Sequence, residues 1–350
     1  GILLKGLMMS SKVIKFMAGG GKTTYSKTLM SKAENGLYLA FTNSVVDDMS
    51  SKGYLSKTID SLFASFIIPK FVDLIPIINS ASNIAYFDSE STNSNAKAAS
   101  NIVFNINGEI YNRGKKILEV SLNTPNKELH NFKYFKNSES IKYIFGVDST
   151  RLTHQQRGQL ADYIINNYPN QLISIMAKRF SYIIIDEAQD LSGYRERFSS
   201  LLYDSDIRLR ILGDDYQNIN NGGNWFKDLS PFKTRNRTFR CSDVLCEWIR
   251  RELEIDINGL STEANIVLIN QADVLSYDNG ERVLLYKSRT KKFEEIIDNW
   301  TGKTDTIQSA KGTTIYADIV IVGDSLNKKN MYTAITRTTK SAYYTITKIN

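Results

Sequence analysis

The chain has 350 residues, of which 42% are hydrophobic and 11% aromatic. This length and composition suit two or three compact domains and exclude an intrinsically disordered chain. The net charge of +7 fits a polyanionic partner and a solvated basic surface equally well. The two cysteines are too few for a disulfide framework, and the two histidines argue against a histidine-based metal site or catalytic triad.

No segment of the sequence approaches the ~18 apolar residues that a membrane-spanning helix needs. We therefore expect a soluble intracellular protein without a membrane partner, located in the cytoplasm. The composition is rich in asparagine, isoleucine and lysine. This usage suggests a phage or other mobile element, in which case the location is the cytoplasm of the host cell.

The first chemical motif is VIKFMAGGGKTTYSKTLM, Val13–Met30, which reads as a short strand, a glycine cluster and a helix. It follows the phosphate-loop pattern G-x-x-x-x-G-K-[ST], except that Phe16 stands at the first glycine. Glycine N–H groups can converge on phosphate oxygens, and the helix that follows directs its positive end at them. The pattern predicts that Lys22 bridges the β- and γ-phosphates and that Thr23 holds Mg²⁺. The alternative is a glycine-rich turn before an ordinary helix.

Residues from about 80 to 150 change in character, with much serine, asparagine and alanine and no chemical motif. We interpret this region as part of an inserted subdomain.

Two apolar runs that end in carboxylates follow, FSYIIIDEAQD at Phe180–Asp190 and IRLRILGDDYQ at Ile207–Gln217. Such runs are typical of buried parallel strands that end at an active edge. Asp186 could position Mg²⁺ through Thr23 and water, and Glu187 could accept a proton from the attacking water. Gln217 could contact the γ-phosphate or that water, the alternative being a polar loop cap.

Nine segments of the chain together resemble the UvrD/Rep group of superfamily 1 helicases, in the order that this family has. They lie between residues 13 and 345 and are AGGGKTT, FTNSVVDDM, TIDSLF, IIIDEAQD, GDDYQ, TFRCSDVL, LLYKSR, TIQSAKGTTIYADIVIVG and YTAITRTT. Each segment is short, but their common order is specific.

The resemblance implies an α/β fold class, with two RecA-like P-loop domains that contain parallel sheets and an inserted 1B-like subdomain. The limits are 1–65 and 176–230 for domain 1A, 66–175 for the insert and 231–350 for domain 2A. Only residues 289–305 lie from the last residue of LLYKSR to the start of TIQSAKG, which is too few for the 2B domain of the family. We therefore predict a minimal motor without a 2B domain.

The resemblance also implies a site for ATP and Mg²⁺ between the two domains. The implied catalytic residues are Lys22, Glu187, Gln217, Arg240 and Arg337, and the two arginines act as arginine fingers from domain 2A. The implied nucleotide-binding residues are Ala18, Gly19, Gly20, Gly21, Lys22, Thr23, Thr24, Phe239 and Gly312, and the metal ligands are Thr23 and Asp186. Phe239 stands where the family has a tyrosine that stacks on adenine. The alternatives are surface ion pairs for the arginines and core packing for Phe239.

A face for single-stranded nucleic acid is implied across both domains. Its predicted contacts are Phe41, Thr42, Asn43, Ser61, Trp225, Thr306, Gln308 and Ser309, which would hold phosphates and stack on bases without reading sequence. The family has a base-stacking aromatic where Gly222 stands, so either Trp225 takes over this contact or it is missing.

The sequence departs from the family elsewhere too. Asp60 stands where a histidine is usual, and Thr314 replaces a glutamate. No glutamine segment specific for adenine precedes the phosphate loop, which implies relaxed nucleotide selectivity.

We predict an ATP-dependent helicase or translocase on single-stranded nucleic acid, DNA rather than RNA, that moves 3′→5′. The expected form is a monomer, with replication or repair proteins as candidate partners. The alternatives are a nucleic-acid-stimulated ATPase that remodels or senses without unwinding, and a viral-type RNA helicase. A P-loop kinase is a further alternative, but it has no use for Gln217 and Arg337.

Overall fold

The computed structural model of the protein describes residues 11–41, 43–71, 102–104, 109–112, 115–119, 154–219 and 223–350. Thr42, Gly222 and most of the predicted insert therefore lie outside the described residues. In chain order, the strands are β1 (Val13–Phe16), β2 (Gly36–Ala40), β3 (Ser56–Thr58), β4 (Ile102–Phe104), β5 (Glu109–Asn112), β6 (Lys115–Glu119), β7 (Tyr182–Ile185), β8 (Leu209–Gly213), β9 (Phe232–Arg235), β10 (Arg237–Ser242), β11 (Asn258–Leu260), β12 (Ile266–Leu268), β13 (Val283–Tyr286), β14 (Thr304–Thr306), β15 (Ile319–Val322), β16 (Ser325–Leu326), β17 (Ala342–Tyr344) and β18 (Lys348–Ile349).

The helices of the described residues lie between these strands. They are α1 (Lys22–Met30), α2 (Asn43–Ser50), α3 (Ile59–Leu62), α4 (Ile68–Phe71), α5 (His154–Asn167), α6 (Pro169–Arg179), α7 (Gly193–Asp204), α8 (Trp225–Asp228), α9 (Asp243–Trp248), α10 (Lys291–Asn299), α11 (Ile307–Ala310) and α12 (Lys328–Ile335). Wider π turns occupy Phe63–Ile67 and Ile249–Leu253, and 3₁₀ turns occupy Ala188–Asp190, Asp215–Gln217 and Gln271–Tyr277.

Six parallel strands form the first sheet in the order β3-β2-β7-β8-β1-β9. Because all of them run the same way, their carboxyl ends share one edge of the sheet. The phosphate loop follows β1, the DEAQD segment follows β7, and the GDDYQ segment includes the end of β8. The topology therefore brings the three motifs to one edge.

The first sheet is covered on both faces, which explains its nearly continuous apolar strands. Side chains alternate between the faces: Leu37 and Leu39 pack in one buried cluster and Tyr38 packs in the other. The same alternation holds in β7, where Ile184 lies opposite to its two isoleucine neighbours.

The packing of the first domain extends beyond its predicted limits of 1–65 and 176–230. Strand β9 pairs with β1, so the sheet continues to Arg235. Residues Ile67, Leu160 and Leu172, from within the predicted insert 66–175, are buried in the first-domain core. The described part of the insert also contains strands β4, β5 and β6, which pair antiparallel.

The second domain contains a parallel sheet with the order β12-β17-β15-β13-β14. Helix α10 connects β13 to β14 and buries Phe293, Ile296 and Ile297 against one face of this sheet. The connection between LLYKSR and TIQSAKG thus contains one packed helix. The predicted fold class, α/β with parallel sheets, is confirmed. Within the described residues, every helix is too short or too polar to cross a bilayer.

Candidate nucleotide site and nucleic-acid face

The phosphate loop is a tight turn that begins where β1 ends. Gly19 has a φ of +71°, and an added Cβ there would lie 2.7 Å from the Cβ of Arg240. At Gly20 an added Cβ would lie 2.7 Å from the Met17 carbonyl oxygen, which accepts a hydrogen bond from the Gly20 N–H at 2.8 Å. The backbone conformation and the close approach of the second domain explain why this turn requires glycine.

Phe16 occupies the first position of the loop pattern but still belongs to β1, where it pairs with Arg235. Its ring is buried in the first domain, 5.7 Å from the ring of Tyr25 on helix α1. The turn starts only after this residue. A large apolar side chain therefore fits here without disturbing the glycines of the loop.

Lys22 is held between two acidic side chains at the end of β7. Its Nζ lies 2.6 Å from Asp186 Oδ1 and 2.6 Å from Glu187 Oε1. Burial opposes the charge of Lys22, but the two carboxylates outweigh it and raise the pKa of the lysine. For Glu187, burial is likewise outweighed by Lys22 and Lys311, so that its pKa falls to about 2. Lys22 and Glu187 are therefore both charged at neutral pH.

Two residues that sequence reasoning missed orient these carboxylates. The Tyr38 hydroxyl donates to Asp186 Oδ2, and the Gln189 side chain donates to Glu187 Oε2 at 2.5 Å. Asp186 is only 2% exposed, so the bond from Tyr38 fixes the direction of this carboxylate. Tyr38 lies in the apolar strand β2, where nothing in the local pattern sets it apart from a core residue.

The GDDYQ turn holds a second buried carboxylate, Asp214, which was not among the predicted site residues. It accepts hydrogen bonds from the Tyr216 N–H at 3.0 Å and from Gln217 Nε2 at 2.7 Å. Burial raises the pKa of Asp214 to about 6. The Gln217 amide is thus fixed with its oxygen free to face the second domain.

The second domain presents two arginines to this edge. Arg337 Nη2 lies 3.3 Å from Gln217 Oε1, and its other guanidinium nitrogens donate to the carbonyls of Thr333 and Thr313 at 2.9 and 3.3 Å. Arg337 is 1% exposed. Burial, and then the nearby Arg240, lower its pKa to about 10, so it stays protonated at neutral pH. Arg240 is half-buried and donates to the Thr336 carbonyl at 3.0 Å.

A cavity of about 360 Å³ lies between the two domains. All of the predicted catalytic, nucleotide-binding and metal residues line it, namely Ala18, Gly19, Gly20, Gly21, Lys22, Thr23, Thr24, Asp186, Glu187, Gln217, Phe239, Arg240, Gly312 and Arg337. The structure therefore brings together residues that lie up to 319 positions apart, from Ala18 to Arg337. Their individual roles stay predictions.

Two exposed aromatic rings stand at this cavity. Phe239 is 60% exposed and lies against Gly21, where an added Cβ would be 3.6 Å from its ring. Its exposure argues against core packing. Tyr316, which sequence reasoning missed, is 76% exposed and lines the same cavity.

Replacing Phe239 by alanine is expected to raise the KM for a nucleotide by about tenfold, because loss of one stacking surface costs about 1–3 kcal/mol. Phe239→Tyr should restore the wild-type KM. Phe232→Ala is the matched control, because Phe232 is also exposed but lies on β9, where its ring contacts Nζ of Lys15. Steady-state ATPase kinetics provide the measurement, and an equal KM for the two alanine variants would contradict base stacking by Phe239.

The two domains are also joined by a buried ion pair that the sequence did not indicate. Lys311 Nζ lies 2.6 Å from Asp190 Oδ2 at the end of DEAQD, and both side chains are almost fully buried. In addition, Met17 and Ala18 pack in the core of the second domain. The phosphate loop therefore lies within the domain interface.

The predicted nucleic-acid face has the same local structure in each domain. Thr58 ends β3 and caps α3 by accepting from the Ser61 N–H at 3.1 Å. Thr306 ends β14 and caps α11 by accepting from the Ser309 N–H at 3.0 Å. Both strands are edge strands of their sheets, and both segments read T-I-x-S. Thr58 was not among the predicted contacts.

The other predicted contacts are placed as follows. Asn43, Gln308 and Ser309 are exposed, while Phe41 and Trp225 are half-buried and pack on the first-domain core. Asp60, which replaces the usual histidine, forms two bonds of 2.6 and 2.7 Å with Arg195. The charge of Asp60 is thereby matched, although contact of this face with nucleic acid stays a prediction.

The two parallel sheets and the shared phosphate-loop cavity define a protein of the RecA-like P-loop class. The chain matches the family model of the UvrD/REP helicase N-terminal domain over residues 18–221, and it belongs to this family. A comparison with curated protein sequences gave no match.

Among solved structures, the chain is similar to the PRRSV helicase, with a TM-score of 0.46, 11% identity and coverage of 99% of this chain and 54% of that one. It is also similar to Arterivirus nonstructural protein 10 (helicase) in a complex with DNA, with a TM-score of 0.45, 13% identity and coverage of 95% and 60%. The chain thus spans about half to three fifths of the length of these helicases.

Proposed function

We propose that the chain is an ATP-dependent motor that moves along single-stranded nucleic acid and unwinds duplexes. DNA is the proposed track, and the proposed direction is 3′→5′, on the resemblance of the FTN and SAKG segments to the UvrD group. The proposed motor consists of domains 1A and 2A, with a short connection in place of a 2B domain.

The observation that carries the proposal is the contact between Arg337 and Gln217 at the cavity of the phosphate loop. A guanidinium supplied from a second domain can stabilise charge on a transferring phosphoryl group only when the two domains are together. Hydrolysis at such a site depends on domain closure, which links chemistry to motion.

The residues at the cavity fit the chemistry of ATP hydrolysis. In the proposed reaction, water attacks the γ-phosphorus, the bond to the bridging oxygen of ADP breaks, and Glu187 accepts the proton of the water. Lys22 holds the pKa of Glu187 low while the two are in contact. A Lys22 that turns to the phosphates would relieve this effect and make Glu187 a stronger base.

The donor set also fits magnesium. Asp186 and Thr23 offer a carboxylate and a hydroxyl, which are the hard oxygen ligands that Mg²⁺ prefers, and both line the cavity. Bound there, the ion would neutralise charge that develops on the phosphate oxygens.

The T-I-x-S segments support a track along both domains. Their Ser and Thr groups can contact phosphates without reading bases, which suits a motor that acts on any sequence. One such segment lies in each domain, so a change in the distance between the domains would change the spacing of the two T-I-x-S segments. This geometry relates closure to strand movement.

The test is ATP turnover with and without single-stranded DNA, followed by strand displacement on duplexes that carry a 3′ or a 5′ tail. We expect DNA to raise turnover by about tenfold or more, since a bound strand favours closure, and only the 3′-tailed duplex to be unwound. Turnover without displacement would indicate an ATPase that remodels or senses. Stimulation by RNA alone would indicate an RNA helicase, and no turnover at all would contradict the proposal.

A further inference from the structure

Tyr332 joins three parts of the candidate site through one hydroxyl group. This hydroxyl accepts a hydrogen bond from the Ala18 N–H of the phosphate loop at 2.9 Å and donates one to Asp214 Oδ2 at 2.9 Å. Tyr332 itself belongs to helix α12 of the second domain. The residue is fully buried, so no water competes for either bond.

Tyr332 also lies near the candidate arginine finger in the chain. Helix α12 ends at Ile335, and Arg337 follows two residues later, with its backbone N–H bonded to the Ala334 carbonyl at 3.2 Å. Tyr332 and Arg337 therefore belong to one continuous hydrogen-bonded segment. Asp214, which accepts from Tyr332, also accepts from the Gln217 amide that contacts Arg337.

We propose that Tyr332 is a positioning residue that locks the phosphate loop and the GDDYQ turn to the second domain when the domains close. This role rests on the proposed function, because the closed arrangement matters for phosphoryl transfer. The hydroxyl fixes the first N–H of the glycine turn and the carboxylate that holds Gln217. It touches neither of the two carboxylates at the end of β7, Asp186 and Glu187, and acts through the groups that it orients.

The chemistry of the hydroxyl fits this role. Burial and the facing Asp214 carboxylate raise the pKa of Tyr332, so the hydroxyl keeps its proton and donates it to the carboxylate. The aromatic ring packs 5.7 Å from the ring of Tyr216. A phenylalanine would preserve this ring contact and remove both hydrogen bonds.

The pKa of Asp214 tests the positioning role of Tyr332, because a Tyr332 that only supports the fold would leave this pKa unchanged. The charged and titratable groups that face it are Lys22, Arg337, Tyr216 and Tyr332. The Tyr332 hydroxyl favours the ionised form of Asp214, so its loss raises the pKa of that carboxyl further. Since the carboxylate holds Gln217, turnover should fall as the pH drops through this pKa, and Tyr332→Phe should move the fall to higher pH.

The experiment compares Tyr332→Phe with Tyr344→Phe in the full chain. Tyr344 is the matched control, because its hydroxyl bonds Trp248 within the second domain at 3.2 Å. For Tyr332→Phe we expect faster hydrogen exchange of the Ala18 amide by NMR and a kcat lowered by about tenfold or more, since two buried hydrogen bonds are lost. The KM should stay within about twofold of the wild type, because Lys22 and the glycines are unchanged. In the plot of kcat against pH, the fall on the acid side should move to higher pH by about 0.5–1 unit.

Unchanged exchange at Ala18 would overturn the proposed contact. An equal loss of kcat in the two variants, with no shift of the fall on the acid side, would overturn the positioning role. A wild-type chain without ATPase activity would reject the proposed function and the catalytic use of Tyr332, while the exchange measurement would still decide whether Tyr332 joins the domains.

Discussion

Lys22→Ala is expected to reduce ATP turnover by about 10²–10³-fold or to background, since one preorganised charge at developing phosphate charge is removed. Lys22 lines the cavity at the start of helix α1 and is the phosphate-loop lysine of the motif. Its removal also leaves Asp186 and Glu187 side by side without their common countercharge. These two carboxylates would then repel phosphate as well as each other.

The control for this variant is Lys27→Ala, on the same helix. Lys27 lies 3.7 Å from Asp48 at the surface and does not line the cavity. Turnover is measured at saturating ATP with single-stranded DNA, and thermal unfolding shows whether each variant is folded. A folded Lys22→Ala protein that keeps the activity of Lys27→Ala would remove the phosphate loop from the proposed mechanism.

The first half of the site could be predicted because its residues follow strands. Each of the residues Lys22, Asp186 and Gln217 comes shortly after a buried apolar run, and parallel strands bring such ends to one edge. Local sequence is enough for this inference. Arg240 and Arg337 lie in the second domain, and only resemblance to a family placed them opposite the phosphate loop.

The contacts between the domains could not be predicted from local patterns. Ala18 and Tyr332 are 314 positions apart in the chain, and Lys311 and Asp190 are 121 positions apart. Tyr332 lies in a helix that is buried almost all round, so its sequence looks like core. The proposed role of Tyr332 depends on which atoms its hydroxyl contacts, and these contacts exist only once the domains are assembled.

The pairing of strand β9 with the first sheet could not be predicted for a similar reason. Strand β9 has the sequence FKTR and is exposed throughout, as an edge strand can be. It has no apolar run to mark it as part of the sheet. Its place is determined by pairing with β1, which lies more than 200 residues earlier in the chain.

Arg337→Lys is expected to lower kcat by about 10³-fold with little change in KM, since a finger arginine acts on the transition state. The guanidinium reaches Gln217, Thr313 and Thr333 at the same time. A lysine keeps the charge but cannot hold this planar arrangement. The affinity for the nucleotide should fall much less than kcat, because the phosphate loop belongs to the first domain.

Arg282→Lys distinguishes catalysis from folding. Arg282 also lies in the second domain, 3.2 Å from Asp318 and bonded to the Tyr277 carbonyl at 3.0 Å, and it does not line the cavity. Both substitutions lose a guanidinium with a carbonyl partner, so similar falls in Tm are expected. Only Arg337→Lys should lose turnover, because only this arginine faces Gln217 across the interface. If both variants hydrolyse ATP at the wild-type rate, the two-domain active site is wrong, because a buried guanidinium beside the phosphate loop would then have no part in the chemistry.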